Sequence, residues 1–210
     1  MIQCNQRCSM KPALVQAPDC GRHGGTMDTA RWDEFEQRVS IEELLHVAVA
    51  PLAWPVSEAQ SLSLAERNGN TLVAIAALEE RRVEPAEDDN PLIQEIRRMD
   101  AKLTALVDVV NRLLTPADQL PVPRLIRFNA RGAVIPSELE PAGEALLLSL
   151  RFDICPSLPL ELPAHVERQF NDGRTFVSFP LLSDALGDAI ERLVFRHHRR
   201  KVAGARQLPG

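Results

Sequence analysis

The feature that most constrains the fold is a long amphipathic segment in the middle of the chain. Asn90 is a good N-cap and Pro91 suits the first position of a helix, so the sequence predicts a helix over 91–114. The apolar residues of this segment follow one another in alternating steps of four and three: Leu92, Ile96, Met99, Leu103, Leu106, Val110 and Leu113. This is an uninterrupted a/d heptad alternation, which predicts a coiled coil or a helical bundle.

Two arrangements could bury that seam. The e positions Ile93, Val107 and Leu114 are also apolar, and a widened apolar face favours a bundle of more than two helices. The alternative is an antiparallel hairpin with a second helix predicted over 62–82, buried within one monomer. We favour self-association because the a/d regularity exceeds what a single globular helix requires.

The composition excludes several classes of function. Of the 210 residues, 45% are hydrophobic and 25% are charged, which is typical of a soluble globular protein. The net charge of −5 and the aromatic content of 4% argue against nucleic acid as a partner. No apolar run approaches the length of about eighteen residues that a membrane span needs, so we expect a cytoplasmic protein without a membrane partner.

The first thirty residues lack any apolar periodicity, and we predict a disordered tail over 1–30. Cys4, Cys8, Cys20 and His23 could supply zinc ligands, but their spacing matches no common zinc motif, and we expect no metal site. Met27 precedes the first segment that looks structured, which makes it a candidate translation start.

We predict that 31–115 is a helical region responsible for oligomerisation. Ser40 as N-cap and Glu43 at the capping-box position predict a helix that starts near residue 40. The helix over 62–82 is predicted from four apolar residues that lie near one face: Leu64, Leu72, Ile75 and Leu78.

A proline-rich stretch at 115–123 marks a domain boundary, and the helical period is lost beyond it. Five short segments read as strands separated by turn residues: 124–129, 133–135, 145–152, 161–168 and 174–179. Pro159 and Pro163 predict that part of the fourth segment lies at an edge or a bulge. A final helix begins at the N-cap Ser183 and carries Leu186, Ala189, Ile190, Leu193, Val194 and His197 on its buried face. The fold class is therefore α+β, with a small antiparallel barrel and terminal helix over 121–203 and a tail over 204–210.

This order of elements resembles the PilZ domain. A long heptad helix containing Asp100-Ala101-Lys102-Leu103, then a barrel, then a final helix containing Val194-Phe195-Arg196, is similar to the atypical PilZ family that forms helical tetramers. The resemblance extends over about residues 35 to 203. It implies a bacterial signalling protein that forms a homo-oligomer, with a tetramer as the expected assembly, and that acts through other signalling proteins.

Typical PilZ domains bind cyclic di-GMP through an Arg-x-x-x-Arg segment before the first strand and an Asp/Asn-x-Ser-x-x-Gly turn after it. Here Arg124 and Arg127 are three residues apart in the first predicted strand, so strand alternation places them on opposite faces. At the turn, Asn129 is present, but Arg131 replaces the Ser and Gly132 comes too early. The resemblance thus implies a degenerate PilZ domain that signals through protein contacts. The alternative is a cyclic di-GMP receptor with a non-standard site formed by Arg124, Arg127, Asn129 and Arg131.

No other segment carries recognisable chemistry, and we expect no catalytic site. The basic run at 196–201 could bind an anion, but we favour a solvated helix C-terminus, because compensation of the helix dipole explains the run. His197 lies on the apolar face of the last helix, which is typical of a core histidine with satisfied hydrogen bonds. The function predicted from sequence is a non-catalytic adaptor.

Overall fold

The structure, a computed structural model, describes residues 25–80, 91–139 and 143–206. The helices are α1 (Gly25–Glu36), α2 (Glu58–Glu80), α3 (Pro91–Leu114) and α4 (Asp184–Arg206). The strands are β1 (Ile41–Pro51), β2 (Pro123–Asn129), β3 (Gly132–Pro136), β4 (Ala145–Arg151), β5 (Leu160–Gln169) and β6 (Arg174–Ser178). Among the described residues, no helix is both long and apolar enough to cross a membrane.

The six strands form a closed antiparallel barrel in the order β1-β2-β3-β6-β5-β4. Alternate residues of each strand point into the barrel, so Phe128 on β2, Leu148 on β4 and Leu162 on β5 are fully buried. These apolar interiors form one continuous core with the inner faces of α2 and α4. The predicted α+β class, with an antiparallel barrel and a C-terminal helix, is confirmed.

Strand β1 corrects the prediction of a helix starting at Ser40. The first half of β1 pairs with β2 and its second half pairs with β4, so β1 closes the barrel. Ile41, Leu45 and Val47 are buried in the interior. The capping pattern at Ser40 is a local signal, and pairing on both sides of the strand outweighs it. The region 31–115 is therefore not helical throughout, because it contributes a barrel strand as well as helices.

The chain termini also differ in part from the prediction. Helix α1 starts at Gly25, so residues 25–30 of the predicted disordered tail are helical, and Met27 lies within that helix. At the other end, α4 extends to Arg206, into the segment predicted as a tail. The cysteines at 4, 8 and 20 and His23 lie outside the described residues.

The remaining strands and helices occur where the sequence predicts them. Pro163 pairs with Leu147 of β4, but the pairing of β5 with β6 begins only at His165, so Pro163 needs no hydrogen-bond donor on that side. A register shift follows between Val166 and Arg168. The N-cap of α4 is Ser183, whose Oγ accepts a hydrogen bond from the backbone N–H of Leu186 at 3.3 Å.

Helix α2 covers the end of β5 that does not pair with β6. The side chain of Asn68, which is buried, donates from Nδ2 to the carbonyl of Glu161 and accepts the Glu161 N–H at Oδ1, both at 2.7 Å. Thr71 donates to the carbonyl of Pro159 at 3.3 Å. These bonds satisfy backbone groups that would otherwise be left open at a strand edge.

Candidate functional site

The turn between β2 and β3 is the part of the barrel in which the sequence predicts ligand-binding residues. Asn129 is buried, and its Oδ1 accepts the backbone N–H of Arg131 at 2.7 Å. Its Nδ2 donates to the carbonyl of Phe35 at 2.9 Å. A Cβ added at Gly132 would lie 2.3 Å from the carbonyl oxygen of Val177, so the close approach of β6 at this position requires glycine. Both polar ends of the Asn129 side chain are therefore used within the chain.

The arginines near this turn are also paired with carboxylates of the chain. Arg127 donates from Nε to Ser40 Oγ at 2.7 Å and from Nη1 to Glu36 at 2.6 Å. Arg131 lies 3.8 Å from Glu34. These two glutamates belong to α1, so one short acidic helix engages both arginines.

Arg124 is separate from this arrangement and pairs with Glu138 at 3.0 Å. The predicted set is thus brought together only in part: Arg127, Asn129 and Arg131 all contact α1, whereas Arg124 contacts the segment after β3.

Helix α1 is held at this place by aromatic packing. Phe35 is fully buried, and the guanidinium of Arg127 lies over its ring at 5.0 Å from the centroid. The Trp32 ring packs against Phe35, and also against Phe170 and Phe176 at centroid distances of 5.0 and 5.1 Å. Because burial of a phenylalanine side chain contributes several kcal/mol, α1 is a firmly anchored cover over the Asn129 turn.

The true first strand changes which arginines precede it. The segment before β1 contains Arg31 and Arg38, seven residues apart, and the prediction from sequence missed both because it took β2 as the first strand. The alternation of Ile41, Leu45 and Val47 was the signal that could have identified β1. Arg31 pairs with Glu167 and Arg38 pairs with Glu191, so the two arginines form no common clamp.

A cavity of about 570 Å³ lies beside Asn129, between the segment before β1 and the outer face of α4. Its lining includes Arg38, Val39, Asn129, Arg192 and Phe195. It lies next to Asn129, the one predicted ligand residue that the turn retains.

An ionic cluster centred on the buried Glu79 side chain joins α4 to the rest of the fold. His197 donates from Nδ1 to Glu43 of β1 at 2.9 Å and from Nε2 to Glu79 of α2 at 2.5 Å. Arg196 and Arg200 also donate to the Glu79 carboxylate, at 3.0 and 2.9 Å. His197 is thus the satisfied core histidine that the sequence predicted, and half of the basic run is used inside the fold rather than left in solvent.

The pKa values in this cluster follow from its geometry. Burial alone would lower the pKa of His197, but its hydrogen bonds to Glu43 and Glu79 and their negative charges outweigh burial and raise the pKa to about 9. Burial alone would raise the pKa of Glu79, but the hydrogen bonds and charges of His197, Arg196 and Arg200 lower it to about 2. The cluster is therefore fully ionised near neutral pH. In the part of the chain that the structure describes, no group of His, Cys, Asp and Glu side chains could hold a metal ion.

The heptad helix α3 presents its seam to solvent in the single chain. Its seven a and d side chains are between 50% and 75% exposed: Leu92, Ile96, Met99, Leu103, Leu106, Val110 and Leu113. The intramolecular hairpin with α2 would bury these side chains within one chain, and it does not form. Asn111, on another face, is buried and accepts a hydrogen bond from Ser157 Oγ at 2.5 Å, which attaches the end of α3 to the loop after β4.

Comparison with known proteins agrees with this architecture. A family described as "atypical PilZ domain, cyclic di-GMP receptor" matches residues 72–207. A crystal structure of a pathogenic protein from Xanthomonas campestris is similar over 85% of this chain and 99% of that chain, with 30% identity and a TM-score of 0.62. That protein is described as a new tetrameric PilZ domain self-assembled through an unusual helical bundle. No curated protein matches the sequence significantly. Because the family match spans more than half of the chain and the barrel and helices agree with it, this chain belongs to the atypical PilZ domain family.

Proposed function

We propose that this protein is a non-catalytic signalling adaptor that oligomerises through α3 and transmits signals by contact with other proteins. The observation that carries this proposal is the exposed seam of α3. Seven apolar side chains at a/d positions stand in solvent along one face of a 24-residue helix. A contiguous apolar stripe of this size marks an interaction surface, and its heptad spacing fits partner helices of the same kind.

A tetramer is the assembly we propose. The Xanthomonas campestris protein, which is similar over 85% of this chain, is described as tetrameric and as self-assembled through a helical bundle. The residues that would form the bundle here are the seven of the α3 seam. The cytoplasmic location expected from the composition stays a prediction, as does the expectation that neither nucleic acid nor a membrane is a partner.

Light scattering on the full chain tests the assembly. The double variant Leu103→Asp, Leu106→Asp places charge in the middle of the seam, and we expect its mass to fall to that of a single chain. The matched control is Gln94→Asp, Ala101→Asp, which adds the same charge at exposed f positions and should keep the mass of the wild type. A wild type that is already a monomer would contradict the assembly, as would equal masses for the two variants.

We further propose that the protein does not bind cyclic di-GMP in the way typical of PilZ domains. Phosphate clamping requires guanidinium groups that are free to point at a ligand. Here Arg127 and Arg131 are paired with Glu36 and Glu34 of α1, and Asn129 is hydrogen-bonded at both polar ends. The ring of Phe35 lies under the Arg127 guanidinium, a position in which a base would have to stack. An anchored helix of the chain itself thus takes up the contacts that a nucleotide would need.

A second candidate function is a cyclic di-GMP receptor with a non-standard site. The cavity of about 570 Å³ next to Asn129 favours it, together with the description of the matched family as a receptor for this nucleotide. Titration calorimetry with cyclic di-GMP distinguishes the two functions. We expect no saturable heat; saturable binding that is lost in Arg38→Ala would establish the receptor function and overturn the preference for an adaptor.

A further inference from the structure

The basic run near the end of α4 is divided into two faces by the fold. Arg196, His197 and Arg200 turn inward to the cluster at Glu79. Arg192, His198 and Arg199 are exposed and form no ion pair with any residue that the structure describes. Compensation of the helix dipole does not explain Arg192, because it lies near the middle of the helix.

Apolar side chains lie between these free cations. Phe195 is 53% exposed, Val39 is 52% exposed, and Val202 is 37% exposed. The guanidinium of Arg199 lies over the Phe195 ring, 5.9 Å from its centroid. Together these residues form a surface that we name the α4 strip: Val39, Arg192, Phe195, His198, Arg199 and Val202. From 192 to 202 it runs about 15 Å along the helix, which is the length of three helical turns in a partner.

We propose that the α4 strip is the docking site for an acidic amphipathic helix of a partner protein. This inference rests on the proposed adaptor function, since it names the surface through which the adaptor contacts its partner. An amphipathic helix binds by laying its apolar face into a groove, and carboxylates beside that face would pair with Arg192 and Arg199.

The cavities along the strip indicate where the partner helix is anchored and in which direction its acidic residues lie. The cavity beside Asn129 opens between Val39 and Phe195, so an apolar side chain of the partner enters there. A smaller cavity of about 350 Å³ lies at the other end, beside Arg199 and Val202. Asp188 and Glu191 line the side of the first cavity nearer to the start of α4. Glu191 is paired with Arg38, and the charge of Asp188 repels acidic groups. The acidic residues of the partner therefore lie on the C-terminal side of these two carboxylates, between Arg192 and Arg199.

Charge also disfavours two other occupants of the α4 strip, an anionic membrane and a second copy of this chain. The chain as a whole carries a net charge of −5, so the strip is a local basic patch on an acidic protein, and an anionic membrane would be repelled by most of the surface. A second copy of this chain would offer the a/d face of α3, and that face carries no acidic residue to pair with the arginines of the strip.

The experiment measures binding of a fluorescently labelled synthetic peptide to the full-length protein by anisotropy. The peptide has sixteen residues, with leucines at helical i, i+3, i+4 and i+7 positions and glutamates on both flanks. One control peptide has the same composition in scrambled order, and another has lysine in place of each glutamate. We expect saturable binding of the acidic peptide only, weakened at least about tenfold by the double variant Phe195→Ser, Arg199→Glu. The matched control Val73→Ser removes an exposed valine from α2 and should bind as the wild type does.

Four results would overturn the inference. These are equal binding of the acidic and scrambled peptides, equal binding by wild type and the double variant, a change in oligomer mass caused by Phe195→Ser, and Phe195-dependent binding to phosphatidylglycerol vesicles. The third would assign the strip to a second copy, and the fourth to a membrane. Circular dichroism of each variant checks that it is folded. Because the α3 variants report assembly separately, a monomeric wild type that still binds the acidic peptide would contradict the proposed oligomer and leave the docking site standing.

Discussion

The Glu79→Gln substitution tests how far the buried ionic cluster stabilises the fold. Glu79 lies at the end of α2, its side chain is 3% exposed, and it receives hydrogen bonds from three cationic side chains of α4: Arg196, His197 and Arg200. Glutamine has nearly the same shape and keeps a hydrogen-bond acceptor, so the substitution removes the charge and leaves the packing intact. The three cations then face one another, with Glu43 as the remaining counter-charge in contact with His197.

The magnitude follows from the pKa of the carboxylate. The fold lowers the pKa of Glu79 from its ordinary value of 4.5 to about 2. Since one pKa unit corresponds to about 1.4 kcal/mol, the folded state favours the charged form by roughly 3 kcal/mol. Removing one partner of a buried ion pair typically costs about 3–5 kcal/mol. The two figures agree, and we expect the free energy of unfolding to fall by about 3 kcal/mol.

The assay is urea unfolding followed by circular dichroism at pH 6 and at one fixed protein concentration, because an oligomer has a concentration-dependent stability. The matched control is Glu66→Gln, an exposed position on the same helix, which we expect to change the free energy of unfolding by less than about 0.5 kcal/mol. A loss below about 1 kcal/mol in Glu79→Gln, with an unchanged dependence on urea, would refute the reasoning. It would mean that the cost of burying these charges cancels their attraction.

Two further predictions concern the same fold. The pKa of His197 is raised from 6.5 to about 9, so its stabilising contribution is complete below pH 6.5 and is lost as the pH rises to about 9. The pKa of Glu79 is lowered from 4.5 to about 2, so its contribution is complete above pH 4.5 and is lost as the pH falls toward 2. Urea unfolding across pH should therefore show greatest stability from this cluster between about pH 4.5 and 6.5, and His197→Gln should flatten the alkaline side; an unchanged alkaline decline would contradict the assignment. Phe35→Ala should lower the free energy of unfolding by about 3–5 kcal/mol, because the ring is fully buried. The control Phe195→Ala, at an exposed position, should lower it by less than about 1 kcal/mol. Similar losses for both variants would show that α1 is not anchored as described.

Local periodicity predicted most of the secondary structure. The heptad spacing of α3 and the alternation in β2 and β4 are properties of short segments, and each was sufficient to identify its element. Strand β1 was missed because Ser40 and Glu43 form a capping pattern on a local scale, while the strand depends on pairing with β2 and β4, which lie far along the chain.

That single error had a consequence for the candidate site. With β2 taken as the first strand, Arg124 and Arg127 were the arginines to consider, whereas Arg31 and Arg38 precede the true first strand. The contacts of α1 with the Asn129 turn could not be predicted, because they join residues about 90 positions apart in the chain. The same holds for the cluster of Glu43, Glu79 and His197. Sequence patterns show which face of an element is apolar, but they do not show which distant element covers it.

The number of helices in the proposed bundle depends on how much of the apolar surface of α3 is already covered by its own chain. The apolar e positions favoured more than two helices, but Ile93 and Val107 are partly buried within the single chain. Asn111, four residues beyond Val107, is buried and hydrogen-bonded to the loop after β4. These residues form the side of α3 that faces its own chain, so much of the width attributed to additional helices is already used. What remains exposed is the a/d seam, with Val109 and Leu114 beside its C-terminal end. Along most of its length, a seam of that width would suit two helices as well as four. The support for a tetramer therefore comes from the related Xanthomonas campestris structure rather than from the e positions, and the mass measured by light scattering is the quantity that decides between the two.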